Sequence, residues 1–358
     1  MTIKEVEIRR LNAPLAQPYV VSTRAIVAFD PIVVRVSDGH ERQGWGEALI
    51  APGYTIETVR DSWDFCRKAA RIMLGEKPSA TRGMLQEAVA SLPGGASAML
   101  SALDMMDEAG ILRVDQDVRV PLLAPIHTRE AEGMRPEIEQ LLAMGYQTLK
   151  IKIGFDWQED LARIEMIQRI VRGRAALRLD ANRGYDLDEG KAIASRLDPD
   201  GIELFEQPCG SDAWAEHAEI GLCSTVPLML DESVYGLEDI DRCGQLEGVG
   251  FVKLKLKKVG SPEMLADALK YIRDRGMEPV LGDGVATDLA CWAEACVARH
   301  CIRNAGEMNG YLKLKQSLFK NTLRVEGGEM IIPAGYWPQI DDAVLDAVTV
   351  EREVFSAG

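Results

Sequence analysis

Acids and lysines recur at the ends of apolar runs in the second half of this chain, and together they suit metal-assisted proton transfer. The acids are Asp180, Glu206 and Asp231, and the lysines on either side of them are Lys152 and Lys255. These five residues recur at intervals of about 25 positions, close to the length of one strand–helix unit of a barrel. Charged groups directly after buried strands are costly unless they are paired, so we expect them to converge on a common site.

Three carboxylates without histidine or cysteine form a hard oxygen ligand set, which suits Mg²⁺ or Mn²⁺. A buried lysine beside such a cation has a lowered pKa and can act as a general base. The metal would hold a substrate carboxylate and stabilise the enediolate that forms when the α-proton leaves. We therefore predict that Lys152 and Lys255 exchange protons with the two faces of a bound small-molecule carboxylate.

Further residues near these strand ends are expected to contact the substrate or to adjust the charge of the site. Lys150 lies two residues before Lys152, and therefore on the same face of its strand but one layer deeper, as Lys253 does beside Lys255. Lys257 and Lys258 follow the strand and are expected at the surface. The predicted substrate contacts are Lys150, Asn182, Asp283, Tyr19 and Tyr54.

Composition excludes several other kinds of site. The net charge of −15 disfavours nucleic-acid binding. Four histidines, without GxSxG, HExxH or Gly-rich nucleotide motifs, leave little for a serine triad or a zinc site. The seven cysteines contain no CxxC pair and are expected to be free buried thiols. Without an apolar run of about 18 residues or a signal-like start, the chain is expected to be cytoplasmic and not to enter a membrane.

The elements that must position these residues alternate between strand and helix. Each apolar run after residue 119 is followed by a helical stretch, which is typical of parallel βαβ units. A weaker eighth run lies near 303–308. The absence of a dinucleotide fingerprint favours a closed (β/α)8 barrel over an open doubly wound sheet. The runs are Val120–Ile126, Thr148–Ile153, Ala176–Leu179, Ile202–Phe205, Pro227–Leu230, Phe251–Leu256 and Glu278–Leu281.

The first third of the chain has a different pattern. Runs rich in β-branched residues at 3–11, 26–36 and 42–48 predict antiparallel strands. Residues 55–110 have helical periodicity. We therefore predict an α/β protein with an N-terminal α+β capping domain (1–119, with 323–358 returning to it) and a modified TIM barrel (120–322).

At this point the motifs resemble the enolase superfamily, specifically its muconate-lactonizing-enzyme-like branch. The resemblance covers nearly the whole chain, and it implies metal ligands at Asp180, Glu206 and Asp231 and acid–base lysines at Lys152 and Lys255. It also implies that capping loops such as those of Tyr19 and Tyr54 close the pocket. The motifs are Lys150-x-Lys152, Asp180-x-Asn182, Glu206-Gln207-Pro208, Asp231-Glu232-Ser233, and Lys255 before Gly260.

Departures from the family's residue pattern narrow the range of reactions that we expect. The mandelate-racemase branch has a histidine after the seventh strand, where this chain reads Gly282-Asp283-Gly284. Dipeptide epimerases have Asp-x-Asp after the eighth strand, where this chain reads Gly306-Glu307-Met308. The stretch 282–288, with Lys253, resembles members that act on proline derivatives, notably those that dehydrate cis-3-hydroxy-L-proline. That resemblance implies a hydro-lyase that eliminates water through an enediolate.

Other interpretations of these residues remain open. The same two lysines, without a leaving group on the substrate, would racemise or epimerise a proline derivative, an N-substituted amino acid or a dipeptide. A Schiff-base enzyme would use one of the lysines as a nucleophile, and a non-catalytic binding protein would use neither. Aspartates at strand ends also cap helices. A homo-oligomer is expected because barrels of this kind often associate.

Overall fold

The computed structural model describes residues 2–21, 24–40, 42–51 and 54–357. The N-terminal part begins with five strands and continues with three helices. The strands are β1 (Glu5–Leu11), β2 (Ala13–Val21), β3 (Arg24–Phe29), β4 (Ile32–Ser37) and β5 (Gln43–Ala48), and the helices are α1 (Val59–Met73), α2 (Pro78–Ala88) and α3 (Pro93–Met106). The stretch predicted as one strand over 26–36 is two strands that belong to different sheets, β2–β3 and β1–β4–β5.

Two glycines bring the capping sheet directly onto α3. A Cβ on Gly44 would lie 2.0 Å from the carbonyl oxygen of Ala102, and a Cβ on Gly46 would lie 2.0 Å from that of Ala98. Every residue of α3 is buried. The helix is mostly apolar and is covered on all sides, and its one charged residue, Asp104, is paired with Arg82, so α3 forms the shared layer under the cap.

Seven parallel strands form the second unit. They lie in chain order from β7 to β13, each hydrogen-bonded to the next, which confirms the predicted strand–helix alternation. A short strand, β6 (Val118–Pro121), precedes them. The seven strands are β7 (Ala124–Ile126), β8 (Thr148–Lys152), β9 (Ala176–Asp180), β10 (Ile202–Glu206), β11 (Leu228–Leu230), β12 (Val249–Leu254) and β13 (Glu278–Leu281).

Helices connect these strands along the outside of the sheet. Several begin at a side chain that accepts backbone N–H bonds; α5, for example, begins after Asp156, which accepts from Gln158 and Glu159. The connecting helices are α4 (Ala131–Ala143), α5 (Trp157–Val171), α6 (Leu187–Ala194), α7 (Trp214–Cys223), α8 (Leu237–Cys243), α9 (Leu256–Val259), α10 (Pro262–Asp274) and α11 (Asp288–Cys301). In the described part of the chain, no helix combines the length and apolar character that a membrane crossing requires.

The weak eighth run is a bridge rather than a strand. Gly306 exchanges backbone hydrogen bonds of 2.9 Å with Pro121 and Leu123, and Glu307 donates to Leu281 at 2.9 Å. Residues 306 and 307 therefore join the two edges of the seven-stranded sheet. The fold is a modified TIM barrel with an α+β cap, as predicted.

The tail makes two separate contacts. Strands β14 (Arg324–Glu326) and β15 (Glu329–Ile332) extend the sheet of β6. The chain then forms α12 (Asp342–Val348) and β16 (Thr349–Ser356), which pairs antiparallel with β1. The strand that joins the capping sheet thus starts at 349, later than the boundary of 323 drawn from the sequence. We keep the division at 119 and 322 as a proposal.

A buried carboxylate joins the cap to the barrel. Glu47 on β5 accepts hydrogen bonds from the backbone nitrogens of Thr287 (2.7 Å) and Ala290 (3.1 Å), and from the Thr287 hydroxyl at 2.5 Å. These donors belong to the first turn of α11, whose N–H groups lack helical partners. Burial raises the pKa of Glu47 to about 7, despite the hydrogen bonds from Thr287.

This raised pKa predicts a pH-dependent stability. The folded state holds the Glu47 proton more tightly than the unfolded state does, so the contribution is complete below the ordinary carboxyl pKa and is lost as pH rises through about 7. The unfolding free energy from urea titrations should therefore decrease from pH 5 to 8.5. Glu47→Gln should remove about 1–3 kcal/mol of that decrease. Glu165→Gln, at an exposed acid of α5, is the control, and equal slopes in Glu47→Gln and wild type would contradict the assignment.

Candidate active site

A cavity of about 660 Å³ lies at the carboxyl ends of the barrel strands. All the sequence-predicted site residues line it except Glu206, which is completely buried beneath its floor. Those that line it are Tyr19, Tyr54, Lys150, Lys152, Asp180, Asn182, Asp231, Lys255 and Asp283. Residues far apart in the sequence therefore meet in one place, on the face where TIM barrels carry their active sites.

Strand register sets the spacing of the five charged residues that end neighbouring strands. Lys152 of β8 pairs with Asp180 of β9, and Asp180 pairs with Glu206 of β10. Asp231 directly follows β11, and Lys255 directly follows β12. Because paired residues on parallel strands lie about 4.8 Å apart, these side chains form a continuous row. The two lysines lie at the ends of this row, with the three acids between them.

Lysine ammonium groups lie among the acids in a lower layer. Nζ of Lys150 is 2.8 Å from both Asp180 Oδ2 and Glu206 Oε2, and 2.9 Å from Glu307 Oε2. Nζ of Lys253 is 3.2 Å from Glu206 Oε1 and also contacts Glu307. Both lysine side chains are only 2% exposed. A buried carboxylate cluster needs such counter-charges when no metal is bound.

The two lysines of the upper layer each contact a different acid. Lys152 donates to Asp180 and, at 2.6 Å, to Asn182 Oδ1. Lys255 donates to Asp231 Oδ2 at 2.8 Å and contacts the hydroxyl of Tyr54. Lys152 is the more accessible, with 21% of its side chain exposed against 9% for Lys255. Each ammonium therefore reaches the cavity from its own end of the row.

Ion pairing outweighs burial in setting the pKa of Asp180, Lys152 and Lys255. Burial alone would raise the pKa of Asp180, but Lys150, Lys152 and Lys253 lower it to about 2. Burial alone would lower the pKa of Lys152 and Lys255, but Asp180 and Asp231 respectively raise these values above the ordinary lysine value. Asp180 is therefore ionised and the two lysines are protonated when no other cation is present, whereas burial and the neighbouring Asp180 raise the pKa of Glu206.

The donor chemistry of the three acids fits a hard divalent cation. All three are carboxylates on adjacent strand ends, and Glu206 Oε2 is buried, accepts no well-aligned hydrogen bond from the described residues, and lies 2.8 Å from the Lys150 ammonium. Among the described side chains, no group of three Asp, Glu, His or Cys residues lies close enough together to hold a metal ion. The Lys150 ammonium lies 2.8 Å from both Asp180 Oδ2 and Glu206 Oε2, so it would have to move for these two oxygens to bind a common cation.

Strained backbone conformations cluster beside the acids. Asn182, Arg183 and Gln207 have φ angles of 43°, 70° and 42°, which residues other than glycine seldom adopt. Gln207 also holds the next strand end in place, because its Oε1 accepts from the Asp231 backbone nitrogen at 2.9 Å. Its Nε2 donates to Ser233 at 2.7 Å. Such strain persists where packing fixes a functional geometry.

Two lysines expected at the surface are buried at the site, so that expectation was wrong. Lys257 is 6% exposed and Lys258 is 1% exposed. The short helix α9 directs both back toward the cavity. Nζ of Lys258 donates to the carbonyl oxygen of Asp231 at 2.6 Å and to its Oδ1 at 2.9 Å. Nζ of Lys257 lies 2.6 Å from Asp283 Oδ2, so Asp283 already has a cationic partner.

Two acids of the site were missed from the sequence. Glu307 lies opposite Lys150 and Lys253 in the lower layer. Glu232 accepts from Asn182 at 3.1 Å through Oε1, while its Oε2 is buried without a hydrogen-bond partner. Glu307 could have been found as the acid at the eighth strand position. Adjacent Asp231 and Glu232 gave no signal that both side chains point inward.

Comparison with known proteins gives a family for this arrangement. The family model described as "Enolase C-terminal domain-like" matches residues 133–336, more than half of the chain. The L-Ala-D/L-Glu epimerase of Bacillus subtilis is 27% identical over 357 residues, covering 93% of this chain and 95% of the epimerase. The relatives thus span both the cap and the barrel.

Solved structures agree in fold over nearly the whole chain. The N-succinyl Arg/Lys racemase of Bacillus cereus superposes with a TM-score of 0.87 at 22% identity, covering 99% of this chain and all of the racemase. A dipeptide epimerase of Enterococcus faecalis, complexed with Mg and the dipeptide L-Leu-L-Tyr, superposes with a TM-score of 0.83 at 21% identity, covering 94% and 99% of the two chains. Because the family model covers more than half of the chain, this chain is an enzyme of the enolase superfamily, in the large group that contains both muconate-lactonizing-enzyme-like and mandelate-racemase-like members.

Proposed function

We propose that this enzyme removes the α-proton of a small carboxylate substrate, with Lys152 and Lys255 as its acid–base pair. The observation that carries the proposal is that the two ammonium groups line one cavity from opposite ends of the acid row. A molecule held above that row would meet one lysine on each side. One lysine removes the proton, and the other delivers a proton to the opposite face.

We further propose that Asp180, Glu206 and Asp231 hold Mg²⁺ or Mn²⁺, which would supply Lewis-acid stabilisation of the enediolate. The base role of the lysines depends on this neutralisation, because unneutralised Asp180 and Asp231 keep the pKa of both lysines high. Chelation should therefore reduce turnover to the detection limit, and Mg²⁺ or Mn²⁺ should restore it. Full activity in excess chelator would contradict the proposal.

The names of two relatives support a reaction in which a proton is delivered back to the α-carbon. Two of them are an L-Ala-D/L-Glu epimerase and an N-succinyl-L-Arg/Lys racemase. Both names describe inversion at a carbon, and inversion requires removal of a proton on one face and delivery on the other. Racemisation or epimerisation of an amino-acid derivative is therefore the outcome that the comparisons favour.

Asp283 and Glu307 are the acids that could contact an amino group of the substrate, and their ion pairs bear on the substrate class. Asp283 is paired with Lys257, and Glu307 is paired with Lys150 and Lys253. A primary ammonium such as that of a dipeptide has three donors, and neither acid is free to accept from it. A proline derivative carries a secondary amine with fewer donors. An N-substituted amino acid, whose amide nitrogen is uncharged, fits these paired acids equally well, so our proposal of a proline-type ring as the substrate rests on the resemblance of residues 282–288.

A leaving group would change the outcome to dehydration, which is our second candidate. In cis-3-hydroxy-L-proline the hydroxyl and the carboxylate lie on one ring face, and the α-hydrogen lies on the other. One lysine would remove the α-proton, and the second would protonate the departing hydroxyl as water. The product is a cyclic enamine, which tautomerises to the imine. This anti elimination needs an acid–base group on each face, which Lys152 and Lys255 would supply.

Proton NMR in D₂O separates these outcomes. L-Proline, cis-3-hydroxy-L-proline, an N-succinyl amino acid and L-Ala-L-Glu would each be incubated with the Mg-loaded enzyme. Exchange at Cα without loss of water identifies a racemase or epimerase, and formation of the cyclic imine identifies a dehydratase. Faster turnover of the dipeptide than of either proline would contradict the ring assignment.

A further inference from the structure

A second cavity of about 680 Å³ lies on the other side of Lys152 from the candidate active site. Lys152 and Tyr19 line both cavities. The Tyr19 ring stands between them, in edge contact with His127 at 6.3 Å and beneath the Lys313 ammonium at 4.8 Å. The volume is in the range of pockets that hold small organic molecules.

Cations dominate the wall of this second cavity. Besides Lys152, it carries Arg129, Arg163 and Lys313. Glu137 is the one acid among the described lining residues, and its two oxygens accept from the backbone nitrogens of His127 and Thr128, both at 2.8 Å. On a chain with a net charge of −15, a wall with this excess of positive charge is unusual.

These three cations have no acidic partner within ion-pair distance among the described residues. Arg129 stacks on the Phe155 ring at 3.9 Å, and Lys313 donates to Gly284 O at 2.9 Å and Asn309 Oδ1 at 3.1 Å. Arg163 is 9% exposed, and its Nη1 donates to the carbonyl oxygen of Lys152 at 2.8 Å. Its Nε is buried without a hydrogen-bond partner.

A buried guanidinium without a counter-ion is costly. Burial and the neighbouring Arg129 lower the pKa of Arg163, against a weaker attraction from Asp160 and Glu137. Guanidinium groups bind carboxylate and phosphate oxygens through paired hydrogen bonds. An anion bound between these guanidinium and ammonium groups would balance their charge.

We propose that this second cavity is a binding subsite for a small oxyanion, a carboxylate or a phosphate, held by Arg129, Arg163 and Lys313. Because Arg163 also holds the Lys152 carbonyl, an anion here lies against the strand that carries one of the proposed acid–base lysines. The subsite does not depend on the proposed reaction, since the anion can be tested on the chain without metal.

The test is calorimetric titration of inorganic phosphate into the full-length, chelator-treated protein at constant ionic strength. Saturable binding is expected, and the double variant Arg129→Gln/Lys313→Met should weaken it by at least about tenfold. Arg169→Gln/Lys320→Met, at two exposed cations outside the cavity, should bind like wild type. No saturable binding by wild type, or unchanged binding by the cavity double variant, would overturn the proposal.

Inhibition of the Mg-loaded enzyme by phosphate identifies the source of the anion. Competition with substrate, lost in the Arg129→Gln/Lys313→Met variant, would show that the subsite takes a distal anionic group of a substrate. Non-competitive inhibition that is lost in the same variant would show that the subsite binds an anion separate from the substrate. Equal inhibition of this variant and wild type would place phosphate in the main cavity and overturn the subsite.

Discussion

Lys152→Met and Lys255→Met should each lower kcat by about 10²–10⁴-fold, the usual contribution of a positioned acid or base. The reason is that each ammonium lies at one end of the acid row and faces the cavity from its own side. The measurement is steady-state turnover together with exchange of the α-proton in D₂O. A racemase should show a further signature, because each variant should still exchange the α-proton of one stereoisomer.

Controls separate this effect from a general loss of structure. Lys191→Met removes an exposed lysine that pairs with Glu219, and it should leave turnover unchanged. Circular dichroism and the urea midpoint should show that both active-site variants are folded. A Lys255→Met variant with wild-type kcat on a substrate that the wild type dehydrates or racemises would remove this residue from the mechanism.

Asp231→Asn should reduce both stability and metal-dependent activity. Asp231 is 1% exposed, and its carboxylate contacts the ammonium groups of Lys255 at 2.8 Å and Lys258 at 2.9 Å. Burial would raise the pKa of Asp231, but these two lysines hold it well below the ordinary value. Loss of the charge leaves two buried cations uncompensated, which costs about 3–5 kcal/mol. Urea unfolding of the metal-free protein measures this loss.

A second variant tests the cause of that instability. In Asp231→Asn/Lys258→Met one of the uncompensated cations is also removed, so part of the lost stability should return while activity remains absent. Asp267→Asn, at an exposed acid of α10, is the control for the substitution itself and should unfold like wild type. If the double variant were no more stable than Asp231→Asn, charge imbalance would not be the explanation.

The spacing of acids and lysines in the sequence is enough to predict much of the candidate site. A side chain that ends a parallel strand must lie at the carboxyl edge of the sheet, so Lys152, Asp180 and Glu206 are brought side by side by strand alternation alone. The same local regularity predicted the barrel strands and helices. Their positions depend on repeating patterns within about ten residues, which the sequence displays directly.

Other features depend on contacts between distant segments, which no local pattern contains. Lys258 has the composition of a surface residue, but α9 turns it beneath Asp231. Glu307 enters the lower layer only because residues 306 and 307 bridge the two edges of the sheet. Tyr19 of β2 helps to form the second cavity because the fold places it against His127 and Lys313, which lie more than 100 and nearly 300 residues further along the chain. Sequence order fixed which groups end the strands, and tertiary packing decided which other charges surround them.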